Sequence, residues 1–283
     1  MAFMIKYGDD WRAGYVDICQ RVLLRGDTRN SRAGSVSEIR DYVFTLDPDA
    51  LDFPMGVNRN APIALAAAEA IQLCSGVGMP ALTEAVSSQI ANFVRDPDGT
   101  VHGNYGSRVG LQIVDVVDKL RADPFTRQAV IQVWDRQKDS QHRVPMPKDI
   151  PCTLSITFGT EGKRLLTMSV VMRSNDVWLG LPFDVFQFRQ LQRTVANCLG
   201  WDIGQYCHHD VSMHAYDRNT AQIASLECDD NWTGARVLPD GLHPTQAADL
   251  PGCMISILSG EPQENYSNQW YQEQLRGAYA TLG

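Results

Sequence analysis

Residues 173–184 join a strand-like run to a helix, and they read Arg173-Ser174-Asn175-Asp176-Val177-Trp178-Leu179-Gly180-Leu181-Pro182-Phe183-Asp184. Upstream, residues 152–159 and 164–173 are two β-type runs, and the segment Gly159-Thr160-Glu161-Gly162 between them predicts a hairpin. Downstream, Gly200 is a typical helix stop, and it follows an apolar helical stripe of Phe188, Leu191, Val195 and Leu199. The sequence therefore predicts a β-hairpin followed by a helix over 184–199.

The other predicted elements mix helices and strands on both sides of this unit. A first amphipathic helix is predicted by the stripe Trp11, Tyr15, Ile18 and Val22, with Gly26 as its stop. The remaining predictions are strands over 35–46, 129–134 and 210–217, helices over 60–74, 83–95 and 218–228, and loops over 26–34 and 99–110. Because this order lacks strict βαβ alternation, it favours an α+β fold.

The composition is typical of a soluble globular protein, with 283 residues of which 44% are hydrophobic and 20% are charged. No linker, low-complexity tract or internal repeat divides the chain, which predicts one domain over residues 1–283. The N-terminus lacks the apolar core of a signal peptide, and no apolar run approaches the ~20 residues that span a bilayer. These features predict a cytoplasmic protein without a membrane partner.

The cysteines, histidines and net charge argue against several protein classes. The seven cysteines are an odd number and form no CxxC pair, which argues against a disulfide framework and a zinc ribbon. The His208-His209 pair has no ligand spacing around it, so it is expected in a surface or packing role and no metal is predicted. The net charge of -8 disfavours nucleic-acid binding. A small anionic substrate would then need a local arginine cluster.

Cys152 is a candidate nucleophile because it follows Pro151 at the start of a predicted strand, whose end can present the thiol to a cleft. A thiolate is a strong nucleophile, and a neighbouring arginine would lower the pKa of the thiol. Taken alone, the residue favours a buried and inert cysteine, because free cysteine often behaves as a small hydrophobe.

Residues 173–184 resemble the signature of the thymidylate synthases, and the likeness extends over roughly residues 11–220. It implies a single domain with a large mixed β-sheet packed with helices, a homodimer, and 5,10-methylenetetrahydrofolate as the one-carbon donor. It also implies that Cys152, in a Pro-Cys pair about twenty residues before Arg173, attacks C6 of a pyrimidine nucleotide. The family usually has His after this cysteine, whereas Thr153 stands here and resembles the Cys-Thr pair of the deoxycytidylate hydroxymethylases.

The signature departs from the family at Asp184, where the synthases carry an asparagine that reads the pyrimidine edge. The amide matches uracil, which shows an N3–H donor beside an O4 acceptor. An ionised carboxylate only accepts, which suits the N4 amino group of cytosine and a protonated N3. Outside this motif the residue would be interpreted as a helix cap. Within it, Asp184 is assigned to substrate binding and catalysis, and it predicts a cytosine nucleotide.

The resemblance also implies residues that hold the phosphate and the sugar. The residues that correspond to the family's phosphate-binding set are Arg32, Arg127, Arg173 and Ser174. Arg127 is expected to reach across the homodimer interface; Gln128 replaces the second arginine of the family's pair, and Arg29 is its candidate substitute. The sugar-binding pair corresponds to His214 and Tyr216, whose spacing of two places both on one face of a strand.

Two further side chains are assigned to proton transfer. Tyr105 resembles the tyrosine that helps to remove the C5 proton, and it would act through water because a phenol is a poor base. By itself it would be a packed aromatic residue. Glu69 lies on an apolar helical face, where an unpaired carboxylate is costly, and it resembles the family's water-ordering glutamate. A buried Glu69 bonded to a neighbouring loop is the alternative.

The folate-contacting residues implied by the resemblance are Asp176, Leu179 and Gly180. Ala91 and Val94 stand where many synthases have a tryptophan pair that walls the folate. A thinner wall would admit water, which favours a hydroxymethyl product over a methyl product.

Three functions follow from these residues. The first is a cytidylate 5-hydroxymethylase, with CMP and dCMP both open as substrates. The alternative is a thymidylate synthase or deoxyuridylate hydroxymethylase that acts on dUMP. The third is a catalytically silent nucleotide-binding relative, against which the set of Cys152, Tyr105, Arg173 and Asp176 argues.

Overall fold

The computed structural model describes residues 3–31, 33–140, 147–162, 164–229, 238–276 and 278. Its strands are Phe3–Lys6 (β1), Asp27–Ser31 (β2), Gly34–Leu46 (β3), Val130–Gln132 (β4), Thr153–Glu161 (β5), Leu165–Met172 (β6), Asn175–Asp176 (β7) and Asp202–Tyr216 (β8). Its helices are Trp11–Arg25 (α1), Ile63–Ser75 (α2), Pro80–Val86 (α3), Ile90–Val94 (α4), Tyr105–Val109 (α5), Gln112–Ala122 (α6), Arg136–Asp139 (α7), Leu181–Leu199 (α8), Thr220–Ala224 (α9), Leu250–Ser259 (α10) and Tyr266–Leu275 (α11).

Within the described ranges, the strands form one mixed sheet of eight in the order β1–β3–β8–β6–β5–β4, with β2 beside β3 and β7 beside β8. The pairs β3–β8 and β5–β6 are antiparallel, whereas β6–β8 and β7–β8 are parallel. The β5–β6 pair is the predicted hairpin. The predicted α+β architecture with a large mixed sheet is confirmed.

Helix α8 lies at the centre of the packing, against β6, β8, α2 and α6. Every residue from Leu181 to Gln192 is buried, which is the pattern of a helix covered on all sides. Its partner α2 is rich in alanine, so the two helices approach closely. No helix in the described part of the chain is both long enough and apolar enough to cross a membrane.

A buried charge network fixes α8 against the loop after β3. Both oxygens of Asp52 are used: Oδ1 accepts from Arg189 Nε at 2.9 Å, and Oδ2 accepts from Arg193 Nε at 2.8 Å and from Gln190 Nε2 at 2.6 Å. Buried charges persist only when they are paired and hydrogen-bonded. The network therefore holds in place the helix that carries Asp184 in its first turn.

Two predicted loops contain regular structure instead. The segment 26–34 holds β2, whose five side chains are all exposed because the strand lies at the edge and pairs only with β3. Such a strand has no apolar alternation to detect. The segment 99–110 holds α5, a single turn that begins where the Asn104 side chain accepts the Ser107 N–H at 3.1 Å.

Three other predictions had the wrong extent. The helix predicted over 83–95 is two short helices, α3 and α4, separated at Ser87 and Ser88, which are poor helix formers. Strand β8 begins at Asp202 rather than at residue 210, because the buried His208 and Asp210 conceal its alternation. The helix predicted over 218–228 is a 3₁₀ turn at Asp217–Asn219 followed by α9.

Candidate active site

A cavity of about 210 Å³ opens between α2, α5 and the start of α8. Its wall includes Glu69 of α2, Tyr105 of α5 and Asp184 of α8. Cys152 immediately precedes β5, and its neighbour Thr153 contacts the Tyr105 hydroxyl. Three of the four residues that the sequence assigns to catalysis therefore line one cavity, and Cys152 lies next to it, through Thr153, without being one of its lining residues.

Asp184 lies in the first turn of α8, and Gly180 rather than Asp184 is the cap residue. The carboxylate is 9% exposed, and its Oδ1 accepts from Gln187 Nε2 at 3.0 Å. Burial raises the pKa of Asp184 to about 7, with His208 opposing the shift and Asp210 adding to it. Near neutral pH both the neutral and the ionised carboxyl are therefore accessible, and the neutral form can both donate and accept.

Cys152 is packed beside Arg173. The Arg173 N–H donates to the Cys152 carbonyl at 2.8 Å, and its guanidinium donates to the carbonyls of Pro151 and Ile150 at 3.0 and 2.8 Å. Burial raises the pKa of the Cys152 thiol to about 11, while Arg173 lowers it. The arginine thus acts in the predicted direction, but burial outweighs it, and the thiol keeps its proton at neutral pH.

Tyr105 points its hydroxyl at Thr153. The phenol oxygen accepts from the Thr153 N–H at 3.2 Å and from Thr153 Oγ1 at 3.0 Å. Burial raises the pKa of Tyr105 well above its ordinary value. Because Thr153 supplies both of these protons, the phenol proton is left to donate towards the cavity.

Glu69 accepts no hydrogen bond from any residue that the structure describes. Burial, together with the nearby Asp184 and Asp149, raises the pKa of Glu69 to about 8. The alternative, in which Glu69 is hydrogen-bonded to a neighbouring loop, is supported by no hydrogen bond within the described ranges. A protonated, cavity-lining carboxyl can hold water or transfer a proton.

The burial of Glu69 should make the stability of the protein depend on pH, because the pKa of Glu69 is higher in the folded chain than in the unfolded chain. Below about pH 4.5 both states hold the proton and nothing is lost; as pH rises towards 8 only the folded state must retain it, so stability falls. The unfolding free energy of the wild type should fall between pH 5 and pH 8. We expect this fall to be about 2 kcal/mol smaller in Glu69→Gln. Urea unfolding at both values measures it, with the exposed Glu273→Gln as control. An unchanged pH dependence in Glu69→Gln would contradict the assignment.

The segment from Asp176 to Gly180 forms a tight turn at the cavity rim. Asp176 Oδ1 accepts the N–H groups of Trp178 and Leu179 at 2.8 and 3.1 Å. A Cβ on Gly180 would lie 2.8 Å from Asn175 Oδ1 and 3.1 Å from Asp184 Oδ2, so a larger residue would force these side chains to shift. Leu179 stays 52% exposed at the rim. The turn thus offers an apolar side chain to a ligand.

His214 and Tyr216 lie on one face of β8, as their spacing predicts. Their rings meet edge to face at a centroid distance of 5.3 Å. Strand β7 places Asp176 opposite His214 in the sheet. The buried Nδ1 of His214 has no hydrogen-bond partner among the described residues, and such an atom is suited to a ligand.

The phosphate residues are only partly placed. Arg32 lies outside the described residues. Ser174 is half-buried between Arg173 and β7. Arg127 is exposed ahead of β4 and forms no ion pair or side-chain hydrogen bond within the described ranges, and its neighbour Gln128 is exposed too. Arg29, the candidate substitute, instead pairs with Asp27 at 3.3 Å and Glu38 at 3.7 Å.

His208, to which the sequence assigned a surface or packing role, is packed in the core next to the site, between Phe44 and Phe188. It is fully buried, with Nδ1 at 2.5 Å from the Tyr206 hydroxyl and Nε2 at 3.3 Å from both Asp210 Oδ1 and Asn175 Nδ2. It lies close enough to Asp184 to oppose the rise in the pKa of that carboxyl. Tyr206, His208 and Asp210 alternate along β8, which places all three on one buried face.

Asp149 and Gln187 also line the cavity, and sequence reasoning missed both. Gln187 follows Asp184 by three residues on α8, a helical spacing that could have indicated their contact. Asp149 precedes Cys152 by three residues in an irregular segment, where no periodicity applies. Among the described residues, no group of three or more His, Cys, Asp or Glu side chains is placed to hold a metal ion.

Comparisons with known proteins identify the family of the chain. The family model described as Thymidylate synthase matches residues 13–229. A thymidylate synthase of Bacillus licheniformis is 33% identical over 140 residues, which are 43% of this chain and 46% of that protein. A deoxyuridylate hydroxymethyltransferase of Bacillus phage SP01 is 26% identical over 219 residues, 71% of this chain and 56% of that protein. The matched regions span about half the length of these relatives. The family match covers most of the chain, which therefore belongs to the thymidylate synthase family.

Proposed function

We propose that this protein adds a one-carbon unit to C5 of a cytosine nucleotide, CMP or dCMP, and hydrates it to a 5-hydroxymethyl group. The observation that carries this proposal is the buried Asp184, which lines the cavity in place of the amide expected from the signature. The reaction requires a base reader, a nucleophile, a donor site and a source of ordered water.

Asp184 suits the Watson–Crick edge of cytosine in either protonation state. A neutral carboxyl donates its O–H to N3 and accepts the N4–H, whereas an ionised carboxyl accepts from N4 and from a protonated N3. Both arrangements contain one proton between Asp184 and N3. A carboxyl pKa of about 7 lowers the free-energy cost of keeping that proton on Asp184 near neutral pH. Gln187 holds Oδ1 in place, leaving Oδ2 beside Gly180 on the cavity wall.

Cys152 would add its sulfur to C6, which makes C5 nucleophilic. The attack pushes electrons towards C5, C4 and N3, where a proton held by Asp184 stabilises the developing charge. Arg173, fixed on the carbonyls of residues 150 and 151, favours the thiolate form of Cys152. Tyr105 and Glu69 line the same cavity and can carry the C5 proton away through water.

Members of this family use 5,10-methylenetetrahydrofolate as their one-carbon donor, and when bound it would supply that unit here. The residues present fit a flat heterocycle. Ile90, Val94 and Val101 give the cavity an apolar part of its lining, and the exposed Leu179 stands at the rim. Ala91 and Val94 stand where many synthases have a tryptophan pair, and their smaller side chains would leave room for water.

A second candidate substrate is dUMP, because a relative named deoxyuridylate hydroxymethyltransferase matches 71% of this chain. A neutral Asp184 can also pair with uracil, by accepting the N3–H and donating to O4. An ionised Asp184 cannot, since two acceptors would then face each other. The two candidates therefore differ in what the ionised carboxylate allows.

We also propose that the protein is a homodimer in which Arg127 completes the phosphate site of the partner. What supports this is its exposure and its lack of an ion pair within the described ranges. A guanidinium without a partner is suited to bidentate binding of phosphate.

The test of the substrate is a mass-resolved product assay with methylenetetrahydrofolate and CMP, dCMP or dUMP in separate reactions. We expect a hydroxymethyl mass gain on a cytosine nucleotide and at least about 100-fold less product from dUMP. The ratio of CMP to dCMP turnover gives the sugar preference. A methyl gain on dUMP would show a synthase instead, and hydroxymethylation of dUMP alone would select the second candidate.

A further inference from the structure

Asp149 is a third carboxylate on the cavity wall, beside Glu69 and Asp184. It precedes Cys152 by three residues, so it enters the site from the nucleophile's own segment. A Cβ on Gly103 would lie 2.5 Å from Asp149 Oδ2 and 2.6 Å from its Cγ. The glycine thus leaves the space that the carboxyl fills.

The Asp149 carboxyl accepts no hydrogen bond from any residue within the described ranges, although His102, Arg108 and Arg173 lie near it. Two of these already have a partner: Arg108 and His102 bind Asp139 at 2.8 and 2.7 Å. The Arg173 guanidinium binds the backbone carbonyls before Cys152. Asp149 is therefore left to bind water or a ligand in the cavity.

The surroundings of Asp149 distinguish it from the other two carboxylates. Burial raises the pKa of Asp149 above its ordinary value, and the nearby His102, Arg108 and Arg173 oppose that shift. Burial raises the pKa of Glu69 with no opposing group, and Asp184 already accepts a hydrogen bond from Gln187 and is proposed to bind the base. Of the three, Asp149 combines nearby arginines with a carboxyl that no described side chain engages, which suits it to accept a proton.

We propose that Asp149 is the general base that activates water for the hydration step; this rests on the proposed function. The water oxygen bonds to the methylene carbon on C5 and gives one proton to Asp149. The methylene π electrons move to C5 and C4, and they then form the C5=C6 double bond as the bond from C6 to Cys152 Sγ breaks. The sulfur leaves as the thiolate, and the product carries CH2OH.

The same step can be run backwards without any folate. In water enriched in ¹⁸O, Cys152 adds to C6 of 5-hydroxymethyl-CMP, protonated Asp149 assists departure of the hydroxyl, and labelled water returns by the forward path. The readout is the gain of ¹⁸O in the nucleotide. We expect Asp149→Asn to slow this exchange by about 100-fold relative to the wild type. The exposed Asp118→Asn should exchange at the wild-type rate.

Exchange in Asp149→Asn at the wild-type rate would overturn the assignment of the base while leaving the proposed function intact. Absence of hydroxymethyl product from every nucleotide with the wild type would instead overturn the proposed function. Asp149→Ala provides a second test that does not depend on a loss of folding, because its exchange is compared with and without added formate. Formate, a small carboxylate, should raise the exchange rate of this variant by at least about 10-fold. Failure of formate to restore exchange in a folded Asp149→Ala protein that still binds CMP also contradicts the proposal.

Discussion

Replacing Cys152 by alanine should reduce turnover by at least about 10⁴-fold, because loss of a covalent nucleophile removes the reaction path itself. Nucleotide affinity should change by less than about 5-fold, since the residues proposed to hold the phosphate and base are untouched. Product formation by mass spectrometry and CMP binding by calorimetry measure the two effects. Cys253→Ala, a half-buried cysteine on α10, is the matched control and should keep full activity.

Two outcomes of this experiment would contradict the mechanism. Turnover by Cys152→Ala at the wild-type rate would rule out a covalent adduct between Cys152 and the nucleotide. CMP binding by the wild type without turnover on any nucleotide would support a silent nucleotide-binding relative.

The same variant tests the shared arginine. Cys152→Ala and Arg127→Ala should each be inactive alone, whereas a mixed dimer contains one site with both residues intact. Random mixing of the two chains should restore about a quarter of wild-type activity. Mixtures that stay inactive, or an active Arg127→Ala protein, would show that Arg127 serves no partner site.

The predictable part of the fold is the part whose signal is local. The stripe ending at Gly200 predicted α8 because four apolar side chains repeat at helical spacing, although the helix begins at Leu181, three residues earlier. The β5–β6 hairpin was predictable for the same reason, with strand composition on both sides of a glycine-rich turn. Strand β2 was not, because an exposed edge strand has no apolar face, and α5 is one turn set by a single cap.

The candidate site divides in the same way. A contiguous motif supplied Arg173, Asp176 and Asp184, and a motif at fixed spacing supplied Cys152. The groups that set their charge come from β8 and from the segment before β5, and only the folded sheet brings them close. His208 is the clearest case: the sequence allowed a packing role for it, but only the structure shows that Asn175 and Asp210 lie beside it.

Asp184→Asn should reverse the base preference, and the ratio of kcat/KM for cytosine over uracil nucleotides should fall by at least about 10³-fold. The reason lies in Gln187, whose amide donates to Asp184 Oδ1. An asparagine that keeps this contact places its carbonyl there and its NH2 group on the side of Gly180, where a donor meets O4 of uracil but clashes with the N4 amino group of cytosine. Turnover of CMP, dCMP and dUMP by the variant measures the change.

The pH dependence provides the control for this reversal. The wild type should reject uracil more strongly as pH rises through the Asp184 pKa of about 7, because only the ionised carboxylate repels O4. The asparagine variant does not titrate, so its base preference should be flat between pH 6 and pH 8. A variant that keeps both the cytosine preference and its pH dependence would show that another residue reads the base. A variant that loses CMP turnover without gaining dUMP turnover would show that Asp184 acts in the chemistry alone.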